Sequence, residues 1–434
     1  MLDHLPGGGA FGLPTRDLAA DGNGDEQSDG HHAADDHHGG GDIESRRLIG
    51  LIRRCGQQQQ RRHRGLHVNC AYYRLVSHSA SKPSERPDKS APLPIQARRH
   101  PLVPVVRGCL LRETEYTGGP IVIAASGGVD STALLATMLA LREQAASFLS
   151  SVEPVLAHVH HHLRQEADHD AEHVRQLAER FGVLHERADI YPDHSSSGNL
   201  AEAAREMRYN ALVEIAQRHE AKIILTAHHA EDQLETILMN LARGAGVEGL
   251  SGMRPVRTLK SGVKLVRPLL SEEKESCRSL CLAAGLTWRE DASNRDRDRS
   301  RNRLRADVLP ILESLWPHAA RRAHTSAEQL AWAATLVERE LDRVFGSRLS
   351  IPDEGWPRST LRAHPIPLLT AGLRRVALQN EPALIDRLGY VMVRKISEAI
   401  HDADDRPRRF SLGPHLTVEV TSKHVNIKPI SPQA

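Results

Sequence analysis

Ser126, Gly127, Gly128, Val129, Asp130 and Ser131 follow one another in a single short run, and their chemistry is that of anion binding. Two adjacent glycines let the backbone turn sharply and approach a ligand closely. Successive N–H groups and the first turn of a following helix then attract a phosphate or pyrophosphate. The hydroxyls of Ser126 and Ser131 add donors, and Asp130 is suited to hold Mg²⁺ against phosphate oxygens. The Gly-Lys-Ser/Thr ending of a Walker loop is missing, so γ-phosphate chemistry of that type is not indicated. Two more polar clusters, His160-His161-His162-Leu163-Arg164 and His228-His229-Ala230-Glu231-Asp232-Gln233, carry groups able to bind or move protons.

These groups need a frame, and the flanking pattern supplies one. Ile121 to Ala125 is a short apolar run suited to a strand buried on both faces. Further strands are expected at Val155–His160, Val183–Ile190, Lys222–Ala227 and Lys264–Pro268. Helical spacing fills the intervals: Ala167–Phe181, Asn199–Glu220, Glu231–Arg243 and a helix from a Ser271 cap to Gly285. Strict alternation predicts an α/β fold with a doubly wound parallel sheet. In such a sheet ligands lie beyond the carboxyl ends of the strands, where all three polar clusters fall.

The rest of the 434-residue chain bounds the function. A net charge of +2 gives no global polyanion signal, so any nucleic-acid surface must be local. Residues 289 to 305 provide one, with seven arginines against four acids. Five scattered cysteines form no disulfide framework and suit a reducing, cytoplasmic setting. No run is long enough to span a membrane. The first 115 residues are low-complexity, with Gly, His and Gln runs and no sustained period, and are expected to be disordered and dispensable. They lack the marks of a secretory or transit signal. No methionine lies between Met1 and Met138, so a product starting just before the first strand would need a non-AUG codon. The expected domains are therefore 1–115, a nucleotide-binding domain at 116–312, and a smaller, mainly helical domain at 313–434. The last has helices at His318–Arg348, Pro367–Gln379 and Ala383–His401 and a closing β-hairpin at Phe410–Ile430.

The loop resembles the SGGxDS loop of the ATP pyrophosphatase, or PP-loop, superfamily. Its companions carry a closer resemblance: His161-His162-Leu163-Arg164, Ala204-Arg205-Glu206-Met207-Arg208-Tyr209, Thr226 to Thr236, Leu241-Ala242-Arg243-Gly244, Arg267-Pro268-Leu269-Leu270, Trp288-Arg289-Glu290-Asp291 and Arg301-Asn302-Arg303-Leu304-Arg305 are similar to successive motifs of the tRNA(Ile)-lysidine synthetase family. Glu231 stands where that family commonly has Asp. The resemblance implies ATP and Mg²⁺ as cofactors, L-lysine and the CAU-anticodon isoleucine tRNA as partners, and homodimerisation as an open assembly state. It implies nucleotide binding by residues 126–131 with His161 and Arg164, and catalysis by Asp130, Arg205 and Asp232, the last as general base or metal-positioning group. Arg205 and Arg208, three apart on one helix face, are suited to hold carboxylate or phosphate bidentately, and tRNA binding is expected of Arg208 and, in the locally basic run, of Arg295, Arg299, Arg301, Asn302 and Arg305. Thiolation of a tRNA cytidine is the alternative within the superfamily, but no cysteine falls in a rim motif. A non-catalytic tRNA-binding chain is the alternative outside enzymes.

Overall fold

A computed structural model describes residues 72–76, 92–144, 148–162, 167–191, 200–259, 261–290, 300–346, 351–381, 384, 388–413 and 415–429. Seven strands form the main sheet: β1 (Tyr72–Val76), β2 (Gly119–Ala124), β3 (Val152–His160), β4 (Leu184–Tyr191), β5 (Ile223–Leu225), β6 (Val256–Thr258) and β7 (Lys264–Val266). Their order is β1-β4-β3-β2-β5-β7-β6. The five inner strands are parallel, with Ile123 level with Leu156 on one side and Leu225 on the other. β1 and β6 close the two edges in antiparallel pairing. The alternation of helix and strand patterns thus yields the doubly wound sheet. The short edge strands escaped it because three to five residues carry too little periodicity.

Residues alternate across β2, so its two faces build two cores. Ile121 and Ile123 pack with Leu134, Leu135 and Met138 of α3 (Val129–Arg142). Val122 and Ala124 pack with Met207, Ala211 and Ile215 of α5 (Leu200–Arg218) on the opposite face. The first layer also holds α4 (Ala167–Arg180) through Val174 and Leu177, and α8 (Lys274–Ala283) through Cys277, Leu280 and Cys281. These two cysteines are core residues; burial pushes the Cys281 thiol up to about 12.

Upstream of residue 115 the expectation of disorder needs correction where the chain is described. Two helices, α1 (Ile95–Arg98) and α2 (Leu102–Glu113), bury Ala97, Leu102, Val103, Val106 and Leu110 in the same layer as α3. Each large apolar side chain buried there contributes about 1.5–3 kcal/mol. The N-cap of α8 is Glu273 rather than Ser271.

Beyond the sheet come α6 (Ala230–Ala242), α7 (Val247–Leu250), α9 (Ser300–Arg303), a π-helical turn at Leu304–Val308, and α10 (Leu309–Leu315). Helix α11 (Ala319–Phe345) starts in a cluster with Ala230 and Leu234 of α6 and Leu309 of α10. It ends, through Leu341 and Phe345, in the C-terminal core with α13 (Ile366–Asn380) and α14 (Tyr390–His401). Between them lies the short helix α12 (Arg358–Arg362). The expected hairpin is two strands of a four-stranded antiparallel sheet, β8 (Trp356–Pro357), β9 (Arg408–Ser411), β10 (Leu416–Val420) and β11 (His424–Pro429), ordered β8-β11-β10-β9. Among the described residues no helix is long and apolar enough to cross a membrane.

Candidate active site

The strand order reverses direction at β2. The chain runs from β2 outward to β3 and β4, then returns to β5 on the other side. At such a switch point a crevice opens between the loops after the two neighbouring strands. Here these are the glycine loop after β2 and the His228–Asp232 loop after β5.

The glycine loop is built by its own side chains. Gly127 sits at φ 81, a left-handed conformation that disfavours any Cβ. A Cβ there would also lie 3.4 Å from the Asp170 carbonyl oxygen. Arg289 N–H donates to the Gly127 carbonyl at 2.9 Å, tying the loop to the chain after α8. The Ser131 hydroxyl donates to Gly128 O at 3.0 Å and accepts from Ser126 N–H at 3.3 Å. The Ser126 hydroxyl accepts from Gly128 N–H at 3.3 Å. Val129 is buried in the core, so its side chain anchors the start of α3 rather than touching a ligand. Asp130 is partly exposed, and its Oδ1 is buried without a hydrogen-bond partner.

His229 joins this loop to α6. Its side chain is 3% exposed, with Nε2 3.6 Å from Asp130 Oδ2 and 3.4 Å from Asp232 Oδ2, and Nδ1 2.9 Å from Glu231 Oε2. Burial works against a charged imidazole, but Asp232, Asp130 and Glu231 together outweigh it and raise the pKa to about 10. His229 is thus a fixed cation among three carboxylates. The Glu231 carboxylate also accepts from Lys274 N–H at 3.1 Å and so caps α8.

Asp232 closes the first turn of α6, accepting from His229 N–H at 3.1 Å through Oδ2. Its Oδ1 accepts from Arg305 Nη2 at 3.0 Å and Arg301 Nη2 at 3.4 Å. Burial would raise its pKa, yet His229, His228, Arg301 and Arg305 hold it below the usual carboxylate range. One turn on, the fully buried Glu235 accepts from Arg301 Nε at 2.6 Å and Arg305 Nε at 2.7 Å. The residues expected to hold tRNA phosphates at 301 and 305 are therefore half-buried and bound to acidic groups of α6. Asn302 lies half-buried beside them.

Three residues lie on the neighbouring rims. His161 is half-buried at the end of β3. Arg205 is exposed on α5, with its guanidinium over the Tyr209 ring at 5.7 Å, and Arg208 is half-buried one turn on. Arg164, Arg295 and Arg299 lie outside the described residues. Sequence reasoning passed over His229 and Glu235 as site residues. Both stand inside the His228–Thr236 motif, whose density of polar residues at one strand end was the available signal.

A glycine loop, a helix N-terminus and a charged second loop facing each other across a switch point are the parts from which nucleotide-binding α/β domains are built. The PP-loop domain family model matches residues 109–312. Within that class, the chain is similar to tRNA(Ile)-lysidine synthases. It is 43% identical over 219 residues to that of Alkalilimnicola ehrlichii, covering 50% of this chain and 47% of the relative. Against the Pseudomonas syringae pv. tomato protein the values are 37% over 264 residues, 61% and 57%. Against that of Thermus thermophilus they are 37% over 290 residues, 66% and 52%. The chain spans about half the length of these curated relatives.

Proposed function

We propose that the protein ligates L-lysine to C2 of the wobble cytidine of the CAU-anticodon isoleucine tRNA, using ATP. The observation that carries this reading is the junction of Asp130, His229 and Asp232 across the switch point, in a chain similar to lysidine synthases. In the first step the cytidine O2 attacks the α-phosphorus, an O–P bond forms, and pyrophosphate leaves. In the second the lysine ε-amine attacks C2, AMP leaves with the former O2, and the amine loses a proton.

The loop amides and the start of α3 face the charge that develops on phosphate oxygens in the first step. Asp130 fits a magnesium ion, because its Oδ1 is buried without a partner. Such an ion would neutralise phosphate charge there. Arg205 and Arg164 are the cations proposed to meet the departing phosphate. Both oxygens of Asp232 already accept hydrogen bonds from His229, Arg301 and Arg305. That favours positioning of these cations over proton removal from the amine. The anticodon loop is held by the basic segment that includes Arg295, Arg299 and Asn302.

Incubation with ATP, L-lysine and unmodified tRNA, followed by mass spectrometry of the anticodon fragment, tests the reading. A lysine-dependent mass gain on the wobble cytidine, with one AMP released per modification, is expected. A gain of sulfur instead would establish thiolation, and no gain with any CAU tRNA would end the proposal.

A further inference from the structure

Arg267 immediately follows β7 and is 3% exposed, yet no carboxylate pairs with it among the described residues. Its Nη1 donates to Arg254 O at 2.7 Å, while its Nε is buried without a partner. Its side chain is also hydrogen-bonded to that of Tyr209, and Arg205 and Arg257 are near enough to add unfavourable like charge. Arg208 is close to the same phenol, and Arg205 lies over its ring. Three guanidinium groups thus share one tyrosine. Burial lowers the pKa of both Arg267 and Arg208. For Tyr209 burial acts upward, but the surrounding arginines bring the phenol below its usual value.

A buried cation without a counter-ion is strongly unfavourable, and an anionic ligand is the simplest remedy. The position says which anion. Thr226 N–H donates to Val266 O at 2.9 Å, so β5 and β7 end level with each other, and the Thr226 hydroxyl meets His228 Nδ1 at 3.0 Å. The cluster therefore stands next to the His228–Asp232 loop but two strands from the glycine loop, about 10 Å at the usual strand spacing. The phosphates of ATP are met at the glycine loop. An RNA backbone phosphate is too bulky to reach a group this deeply covered. A carboxylate is small and flat, and it matches the fork of a guanidinium bidentately.

We propose that Arg267, with Arg208 and Tyr209, forms the subsite for the α-carboxylate of the amino-acid substrate, leaving the flexible side chain to carry its amine toward Asp130 and Asp232. This rests on the ligation reading above, moves Arg208 from the tRNA to the amino acid, and makes Arg267 and Tyr209 determinants of amine selectivity.

The test compares L-lysine with cadaverine, the same amine chain without a carboxylate, on tRNA with ATP. Pyrophosphate release before amine addition is followed separately. In the wild type lysine should be strongly preferred. Arg267→Gln should raise the lysine KM about 10- to 100-fold, the scale of a lost charge-assisted pair, leave the cadaverine KM within about twofold, and keep pyrophosphate release. Tyr209→Phe should shift lysine in the same direction by about 3- to 10-fold, and it decides the matter should Arg267→Gln fail to fold. Equal losses for lysine and cadaverine would overturn the proposal. So would loss of pyrophosphate release, which would assign the cluster to ATP, or weaker tRNA binding with unchanged lysine KM, which would assign it to RNA phosphate. A wild-type protein that releases no pyrophosphate on any CAU tRNA would refute the ligation reading itself.

Discussion

His229 Nε2 lies 3.6 Å from Asp130 Oδ2, and this contact ties the loop after β2 to the helix after β5 across the switch point. The imidazole is charged because Asp130, Glu231 and Asp232 surround it, although burial alone would leave it neutral. Under the proposed function an anionic nucleotide would enter a crevice whose acidic groups are already compensated. That removes the repulsion that a bare pair of carboxylates would impose on phosphate.

The charge on His229 gives stability a definite pH dependence. Its folded pKa of about 10 exceeds the unfolded value of 6.5. Its stabilising contribution is thus fully present below pH 6.5 and is lost as pH rises toward 10. The slope is about 1.4 kcal/mol per pH unit for one proton. Urea melts between pH 7 and pH 9 should show this decline in the wild type and a flatter profile in His229→Gln. Parallel profiles would mean that the imidazole is neutral in the fold.

Asp130→Asn keeps the shape of the loop but removes the negative charge whose Oδ1 is unpartnered. We expect loss of ATP-dependent pyrophosphate release by at least about 10²-fold, with the thermal midpoint within a few degrees of wild type. Ser131→Ala should act differently, because its hydroxyl braces Gly128 O inside the loop. It should weaken nucleotide binding measured by calorimetry and also lower stability. Normal pyrophosphate release by both variants would remove the loop from the chemistry.

For Asp232→Asn the expected loss in single-turnover ligation is about 10²- to 10⁴-fold. The pH profile separates the two roles that the sequence left open. A proton acceptor would lose the acidic limb of the profile on substitution. A group that fixes His229, Arg301 and Arg305 would lower the whole curve and keep its shape, and this second outcome follows from the bonds that both Asp232 oxygens already make.

Truncation separates the described upstream helices from the low-complexity stretch before them. Starting the chain at residue 92 removes, of the described elements, only the edge strand β1 and should preserve the cooperative melt of the sheet domain. Starting it at Leu110 removes Leu102, Val103 and Val106 from the first core layer, at roughly 1.5–3 kcal/mol for each buried side chain. A truncation at Leu110 with an unchanged melting point would show that α2 is only loosely attached.

Much of this site could be read from the chain because its information is local. The turn at Gly127, the start of α3 and the polar run at 228–233 each sit within a few residues of a strand end, where a parallel sheet must place its ligands. Arg267 is equally local in sequence, next to β7, but its meaning depends on a missing counter-ion, which only three-dimensional neighbours reveal. Helix α2 escaped because a single amphipathic stretch followed more than ninety residues of biased composition. The pairing of Glu235 with Arg301 spans 66 residues, and charge runs do not encode which acid they face.

That pairing carries the last prediction. A solvated arginine on a phosphate-binding face adds about 0.7 to 0.9 to the slope of log affinity against log salt. Arg301 and Arg305 instead direct Nε to Glu235 and Nη2 to Asp232, with Glu235 fully buried. Replacing Arg301 alone by alanine leaves Arg305 on Glu235, so the fold should survive at a cost of about 1–3 kcal/mol. The tRNA salt slope should stay within about 0.3 of wild type, while ligation slows. Replacing both strands a buried carboxylate and should cost about 3–5 kcal/mol. Filter binding across a salt series, beside urea melts of the same variants, reads both quantities. A slope flattened by about 0.7 or more with unchanged stability would return these arginines to the RNA and leave Glu235 without a role in holding α9 against α6.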